Sequence, residues 1–162
     1  MKKIHRKYLL MDTNLLLLLL IGSLSPSRIR IEKVTANQGF DEQDFKQLCD
    51  YVGKFQKLVS TPHILTEVSN HADKIKSNRG QLIQQFISLI ETLDERSEKS
   101  ELLARTDAFP RFGLTDAAIS HLADEAFVVL TTDFPLSGFL RKKGVYVINF
   151  NHVRWIPQTA WA

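Results

Sequence analysis

The chain has 162 residues, of which 44% are hydrophobic and 24% charged. This composition excludes a fibrous or disordered protein and predicts one globular domain over residues 1–162. The net charge of +3 and the pI near 9.0 permit a polyanionic partner without requiring one. The single cysteine, Cys49, excludes an intrachain disulfide and a zinc site built from cysteines, and we expect a buried thiol in a cytoplasmic protein.

The first expected element is a buried strand, Tyr8–Met11, with Asp12 at its polar tip. The apolar run 15–21 then predicts a helix that is buried on most sides. A secretory signal is the alternative, because basic residues precede this run and small residues follow it. Asp12 and its polar neighbours interrupt the apolar stretch, however, and the run is far shorter than the roughly 20 residues that span a bilayer. We therefore expect no membrane segment.

The next segments combine turns with amphipathic patterns. Residues 28–34 are strand-like and lie between expected turns at 25–27 and 36–39. Residues 41–58 predict an amphipathic helix, because apolar residues recur every three or four positions. These apolar positions are Phe45, Leu48, Val52, Phe55 and Leu58.

Two further helices are expected in the middle of the chain. Thr61 as the cap and Pro62 at the first helical position open one of them, which carries Glu67 and turns its apolar residues inward. Those residues are Ile64, Leu65 and Val68. Residues 79–93 form the other helical pattern, and the charged stretch 94–101 is expected to be a solvated cap or linker.

The last third alternates between helix and strand. Thr115 is expected to cap a helix over residues 116–125, and Phe127–Thr131 is a short buried strand. A helix over 134–143, closed by Gly144, and a strand over 145–150 follow. The alternation predicts a three-layer α/β/α fold with a central, mostly parallel sheet.

Four carboxylates occupy positions that this fold would bring together. Asp12 and Asp133 follow strand ends, where ligands bind in parallel sheets, while Glu67 and Asp116 lie near helix starts. Such a cluster repels itself and persists only if cations hold it, and oxygen ligands select Mg²⁺ or Mn²⁺. Taken one at a time, each acid has a structural alternative as a helix cap, a dipole partner or a solvent-facing residue.

The order of the motifs around these acids resembles that of the PIN-domain nucleases, including the VapC-type toxin ribonucleases. In that family a strand ends in Asp followed by a small polar residue, a helix supplies a second acid, a Thr-Asp at a helix start supplies a third, and a strand ending in Thr-x-Asp supplies a fourth. The matching segments are Asp12-Thr13-Asn14, Pro62-His63-Ile64-Leu65-Thr66-Glu67, Gly113-Leu114-Thr115-Asp116 and Leu130-Thr131-Thr132-Asp133. The resemblance extends over nearly the whole chain.

The resemblance implies an endoribonuclease that hydrolyses RNA with a metal-activated water. The implied ligands of Mg²⁺ or Mn²⁺ are the three aspartates Asp12, Asp116 and Asp133, and Glu67 directly or through water. Asn14 and Thr132 are the implied positioning groups. The resemblance also makes the protein a candidate toxin with a cognate antitoxin and implies a homodimer. The sequence departs from the family pattern in Phe134-Pro135-Leu136 after the fourth acid and in a longer region 25–50.

Nucleic-acid contacts are a weaker expectation. Lys74, Lys76 and Arg79 follow the Glu67 helix, and Arg141 begins a second basic trio, residues 141–143. Either trio could track a phosphate backbone or stabilise a helix end. Two tryptophans near the C-terminus could stack on bases, although packing is the preferred interpretation. They are Trp155 and Trp161.

Two other functions are alternatives to the nuclease. A catalytically silent module that binds nucleic acid or protein would keep the fold without the chemistry, and the presence of all four acids argues against it. A phosphatase with Asp12 as the nucleophile would usually have a second acid two residues later, where this chain has Asn14.

Overall fold

The computed structural model describes residues 6–154, which form a parallel sheet with helices before and after nearly every strand. A 3₁₀ helix, Pro26–Arg30, follows the first α-helix. The strands and α-helices are, in chain order, β1 (Tyr8–Met11), α1 (Thr13–Leu24), α2 (Lys33–Ala36), α3 (Glu42–Val52), β2 (Lys57–Ser60), α4 (Pro62–Ala72), α5 (Arg79–Thr92), β3 (Asp94–Glu95), α6 (Ser100–Leu103), α7 (Phe109–Leu122), β4 (Phe127–Thr131), α8 (Phe134–Lys142), β5 (Val147–Asn149) and α9 (Phe150–Val153).

The sheet has the strand order β3-β2-β1-β4-β5, and every pair is parallel. The chain therefore moves outward from β1 in one direction through β2 and β3, and then returns to the other side of β1 for β4 and β5. This reversal makes the junction of β1 and β4 the topological switch point, where the carboxyl ends of the strands leave a crevice. The register pairs Met11 with Leu130, so Asp12 and Thr131 follow side by side.

Helices cover both faces of the sheet, which confirms the expected three-layer α/β/α fold. Parallel crossovers are almost always right-handed, so connections running in opposite directions place their helices on opposite faces. Helix α1 is enclosed because it packs against β4 and against α3, α4 and α5. Its residues from Leu15 to Gly22 are all buried, as the apolar run predicts. No helix among residues 6–154 is long and apolar enough to cross a membrane.

The expected strand at 28–34 is wrong, because these residues form the 3₁₀ helix and α2. A strand would turn Ile29 and Ile31 to the same face, but Ile29 is fully buried and Ile31 is 71% exposed. Pro26 occupies the first position of the 3₁₀ helix, where its fixed φ favours a helical start. The hydroxyl of Thr35 donates to the carbonyl of Ile29 at 2.5 Å and closes the segment on itself.

The single helix expected over 41–58 is also wrong, because α3 ends at Val52 and the missed strand β2 follows. The apolar spacing that suggested a continuous helix extends into Phe55 and Leu58, which pack on the core from a turn and from β2. A capping box between Asp41 and Asp44 begins α3.

Smaller differences concern boundaries and exposure. The charged stretch contains the two-residue edge strand β3, and the strand expected over 145–150 is confined to β5. Cys49 is exposed and is not the buried thiol that we expected. The two tryptophans of the tail lie outside the described residues.

Candidate functional site

The four acids predicted to form a site line one open cleft at the carboxyl ends of β1 and β4. The cleft has a volume of about 190 Å³. Its lining residues are Asp12, Thr13, Asn14, Glu67, His71, Asp116, Thr131, Asp133 and Leu136. A larger groove of about 630 Å³ lies beside α1, β2 and α5, but Asp94 is the only acid among its lining residues. The acidic side chains are therefore concentrated in the smaller cleft.

Asp12 is the most firmly held of the four acids. It caps α1, where its Oδ1 accepts a hydrogen bond from the backbone N–H of Leu15 at 3.0 Å. Its Oδ2 accepts from the Thr131 hydroxyl at 2.6 Å and from the Thr132 N–H at 2.7 Å. Burial raises the pKa of Asp12 above its ordinary value, and these hydrogen bonds oppose the rise. The side chain is thus fixed between two strands and a helix.

Glu67 is held by two threonines from different helices. Its Oε2 accepts a hydrogen bond from the Thr13 hydroxyl of α1 at 2.8 Å. Its Oε1 accepts from the Thr115 hydroxyl of α7 at 2.5 Å. Because Glu67 is itself exposed on α4, these contacts hold a long side chain across the open side of the cleft.

Asp116 enters the cleft from a helix start that the kink at Gly113 creates. Gly113 has φ 83° and ψ −177°, a left-handed conformation that favours glycine and breaks α7 into two helical pieces. Thr115 and Asp116 therefore lie in the first turn of the second piece, where the helix dipole stabilises negative charge. The expected capping role of Thr115 is wrong, because Thr115 has a helical backbone inside the second piece of α7, and its hydroxyl donates to Glu67.

The pKa of Asp116 shows how closely the acids are grouped. Burial, followed by the negative charges of Asp133, Asp12 and Glu67, together raises this pKa to about 7. No hydrogen bond from another described residue reaches the Asp116 carboxylate. The carboxylate is thus half-buried, repelled by three neighbours and not stabilised by a donor in the described part of the chain.

Asp133 caps α8 and lies on the exposed rim. Its Oδ1 accepts from the N–H of Leu136 at 2.8 Å, and its own N–H donates to the Thr131 hydroxyl at 3.0 Å. Thr131 therefore contacts both strand-terminal aspartates. With Asp12 on α1 and Asp116 on the second piece of α7, three of the acids lie at helix N-termini, where the dipoles offset part of their repulsion.

The donor set fits a hard divalent cation, although the side chains do not form a closed cage. Among residues 6–154, no salt bridge joins any of the four acids to a lysine, arginine or histidine. Carboxylate oxygens keep free lone pairs after accepting one hydrogen bond, and they suit Mg²⁺ or Mn²⁺. No three His, Cys, Asp or Glu side chains of this part of the chain converge in the geometry of a metal site. Ligation would therefore require side-chain rotation.

The two expected positioning residues differ in their contacts. Thr132 reaches Asp12 Oδ2 with its backbone N–H, and its hydroxyl is 3.3 Å from the same oxygen. Asn14 lines the cleft, but within residues 6–154 its side chain makes no hydrogen bond to the acids. Sequence reasoning missed the hydroxyls that hold the acids, those of Thr13, Thr115 and Thr131. Each of them is adjacent to an acid or to Thr132 in the sequence, which was the available signal.

The basic residues expected to contact nucleic acid lie at helix ends away from the cleft. Lys76 donates to the backbone carbonyl of Asp73, and Arg79 donates to its carboxylate at 2.7 Å. Lys74 is exposed beside them. Arg141 lies in the last turn of α8, about 12 Å along the helix from Asp133. None of them lines the cleft.

The fold and the site define an α/β protein with an acidic cleft at its topological switch point. No protein-family model matches this chain, and no curated protein matches it in sequence. The functional assignment therefore depends on the geometry and chemistry of the cleft.

Proposed function

We propose that the protein is an endoribonuclease of the PIN-domain kind that depends on Mg²⁺ or Mn²⁺. One observation carries the proposal: Asp12, Glu67, Asp116 and Asp133 line one cleft and have no cationic side chain paired with them in residues 6–154. Four carboxylates would repel both one another and a phosphate. Divalent cations held by these acids would remove both difficulties, because their positive charge would attract the acids and the phosphodiester alike.

The residues divide into ligands and holders. Asp12, Asp116 and Asp133 are the proposed ligands, with Glu67 as a ligand directly or through water. Thr131 and Thr132 keep one orientation of Asp12 through bonds of 2.6 and 2.7 Å to the same oxygen. Thr13 and Thr115 restrain Glu67 through the other pair of hydroxyls. When bound, the metal would lower the pKa of an attacking water and neutralise charge on the scissile phosphate.

The reaction is hydrolysis of an RNA phosphodiester bond. The oxygen of water forms a bond to phosphorus, the bond from phosphorus to the leaving ribose oxygen breaks, and that oxygen takes up the proton that the water gives up. The residues of this chain position the phosphate and the cation in the cleft. A role as the toxin of a toxin–antitoxin pair, a homodimeric state and a cytoplasmic location remain predictions from the family resemblance.

The test is cleavage of a mixed single-stranded RNA pool by the purified protein with Mg²⁺, Mn²⁺ or EDTA. We expect cutting that needs the metal and disappears in Asp116→Asn. Asp50→Asn is the matched control, because Asp50 is an exposed aspartate on α3 that does not line the cleft. Undiminished cutting by Asp116→Asn, or cutting that persists in EDTA, would overturn the proposal.

The alternative is a catalytically silent module that binds nucleic acid or protein. One observation favours it, namely that no three potential ligands in residues 6–154 are already arranged as a metal site. The two functions are separated by Mn²⁺ titration calorimetry on the wild-type protein and on Asp116→Asn. Binding that is lost in the variant supports the nuclease, whereas RNA binding without any Mn²⁺ binding supports the silent module.

A further inference from the structure

An exposed aromatic pair begins one residue after Asp133, just outside the residues that line the acidic cleft. Phe134 follows Asp133 and exposes 56% of its surface, more than the other exposed aromatic side chains of residues 6–154. Those are Tyr146 at 49% and Phe109 at 37%. The imidazole of His152 on α9 meets the Phe134 ring edge to face, with centroids 5.1 Å apart and an interplanar angle of 63°. Two rings are thus held together at the rim.

The aromatic pair of Phe134 and His152 is anchored by contacts that do not involve the rings. Asn151 Nδ2 donates to the carbonyl of Thr132 at 2.9 Å and fixes α9 against the loop that carries Asp133. Arg154 at the other end of α9 donates to both carboxylate oxygens of Asp44, at 3.0 and 2.6 Å. His152 therefore lies on a short helix that is fixed at both ends. The pair is positioned before any ligand arrives.

The core does not explain the exposure of Phe134. The side chain belongs to the first turn of α8, whose buried residues are Leu136, Ser137, Phe139 and Leu140. An apolar ring with more than half of its surface in water loses most of the stabilisation that burial would give. A flat, exposed ring with one restrained neighbour is, however, a good surface for a second flat ring.

The position of the aromatic pair indicates which kind of ring would stack on it. Consecutive Cα atoms lie about 3.8 Å apart, so Phe134 is one residue from a proposed metal ligand. A phosphate in the cleft would have its own nucleotide, or the next one, near the rim. Nucleobases stack on aromatic side chains, and only unpaired bases can leave their own stack to do so.

We propose that Phe134, held edge-on by His152, stacks on an unpaired nucleobase of single-stranded RNA next to the phosphate in the acidic cleft. This inference rests on the proposed function, which it deepens by naming Phe134 as a specificity-determining residue. Base-paired RNA is a poor substrate because its base faces are covered.

The test compares full-length variants in two assays, kcat/KM for single-stranded RNA with Mn²⁺ and fluorescence anisotropy of the same RNA with Ca²⁺ in place of Mn²⁺. Base–aromatic stacking is worth about 1–3 kcal/mol, so Phe134→Ala is expected to weaken kcat/KM roughly 5- to 140-fold. Phe134→Trp is expected to retain activity. Tyr146→Ala is the matched control, because Tyr146 is an aromatic of similar exposure that precedes β5, at the opposite end of the strands from the cleft.

A scan with one abasic nucleotide adds a readout that general destabilisation would not produce. At one position, loss of the base should weaken wild-type cleavage by about the same factor as Phe134→Ala and have no further effect in that variant. Wild-type kcat/KM in Phe134→Ala, equal losses in Phe134→Ala and Tyr146→Ala, or identical abasic profiles in wild type and variant would each overturn the inference.

The two proposals fail in different ways. If Asp116→Asn loses cleavage and Phe134→Ala has no effect, the nuclease proposal is supported and the stacking role is contradicted. RNA binding without cleavage, weakened by Phe134→Ala, would leave the stacking role and remove the nuclease. A protein that neither binds nor cuts RNA would overturn both.

Discussion

The hydroxyl of Thr131 donates to the buried carboxylate of Asp12 at 2.6 Å across the junction of two parallel strands. The same Asp12 oxygen accepts from the N–H of Thr132, and the other oxygen accepts from that of Leu15. Asp12 therefore acts as an acceptor toward every donor around it. This distinguishes it from Asp116, whose carboxylate has no such donors among the described residues.

Asp12→Asn is expected to destabilise the protein as well as to remove activity. An amide presents N–H groups where the carboxylate accepts, so at least one buried donor loses its acceptor. We expect a loss of roughly 1.5–3 kcal/mol in the free energy of unfolding, measured by urea denaturation. An unchanged denaturation midpoint would mean that the hydrogen bonds around Asp12 are not formed.

Asp116→Asn is expected to have the opposite effect on stability while it abolishes metal-dependent cutting. The substitution removes a charge that three neighbouring carboxylates repel, and it breaks no hydrogen bond within the described residues. We expect the metal-free variant to be more stable than wild type by roughly 1 kcal/mol, a modest value because water screens a half-open cleft. Thermal denaturation in EDTA measures this difference, and a lower melting temperature would contradict it.

The stability of the metal-free protein should fall as the pH rises from about 4 to about 7. The pKa of Asp116 is raised from 3.8 to about 7 in the folded state, so in this interval the folded protein holds a proton that the unfolded chain has released. The free energy of unfolding then decreases with pH and levels off above about 7. Urea denaturation at several pH values would show this slope in wild type and a smaller slope in Asp116→Asn. Equal slopes in the two proteins would show that Asp116 does not cause the pH dependence.

Gly22→Ala is expected to destabilise the contact between α1 and α3. A Cβ at this position would lie 2.1 Å from Cδ2 of Phe45, so the ring would have to move. Overpacking costs about 1–3 kcal/mol, more than the gain of up to about 1 kcal/mol from replacing glycine within a helix. In a Phe45→Ala background the same change should become stabilising. A double-mutant cycle by urea denaturation measures this change of sign.

The positions of the acids relative to the sheet were predictable, but the contacts that orient them were not. Asp12 and Asp133 follow short apolar runs that the alternation of elements assigns to buried strands, so parallel topology brings them together. The hydrogen bonds from Thr13 and Thr115 to Glu67 depend on side-chain rotamers and on the packing of three helices. Residue types alone do not specify either of these. The kink at Gly113, which aims Asp116 into the cleft, is a single φ value of 83° inside a helical pattern.

The wrong predictions about the fold have a common physical origin. The spacing of Phe55 and Leu58 continues the helical pattern of α3, yet Leu58 belongs to the buried strand β2. Short apolar runs fit both periods, and tertiary packing decides between them. The strand predicted over residues 28–34 is wrong for the same reason. Alternating arginine and isoleucine match the period of a strand, but Ile31 is exposed to solvent.

Helix α1 buries every residue from Leu15 to Gly22, so one side of the cleft is attached to the core of the protein. Amide hydrogens within such an enclosed helix exchange with solvent only when the surrounding core opens, because local fluctuation does not admit water. The carboxylate that caps α1 shares that protection, whereas the side chains of Glu67 and Asp133 are exposed to solvent. The cleft thus combines a wall that opens only with the core, and so sets where a ligand sits, with a wall whose carboxylates water reaches directly.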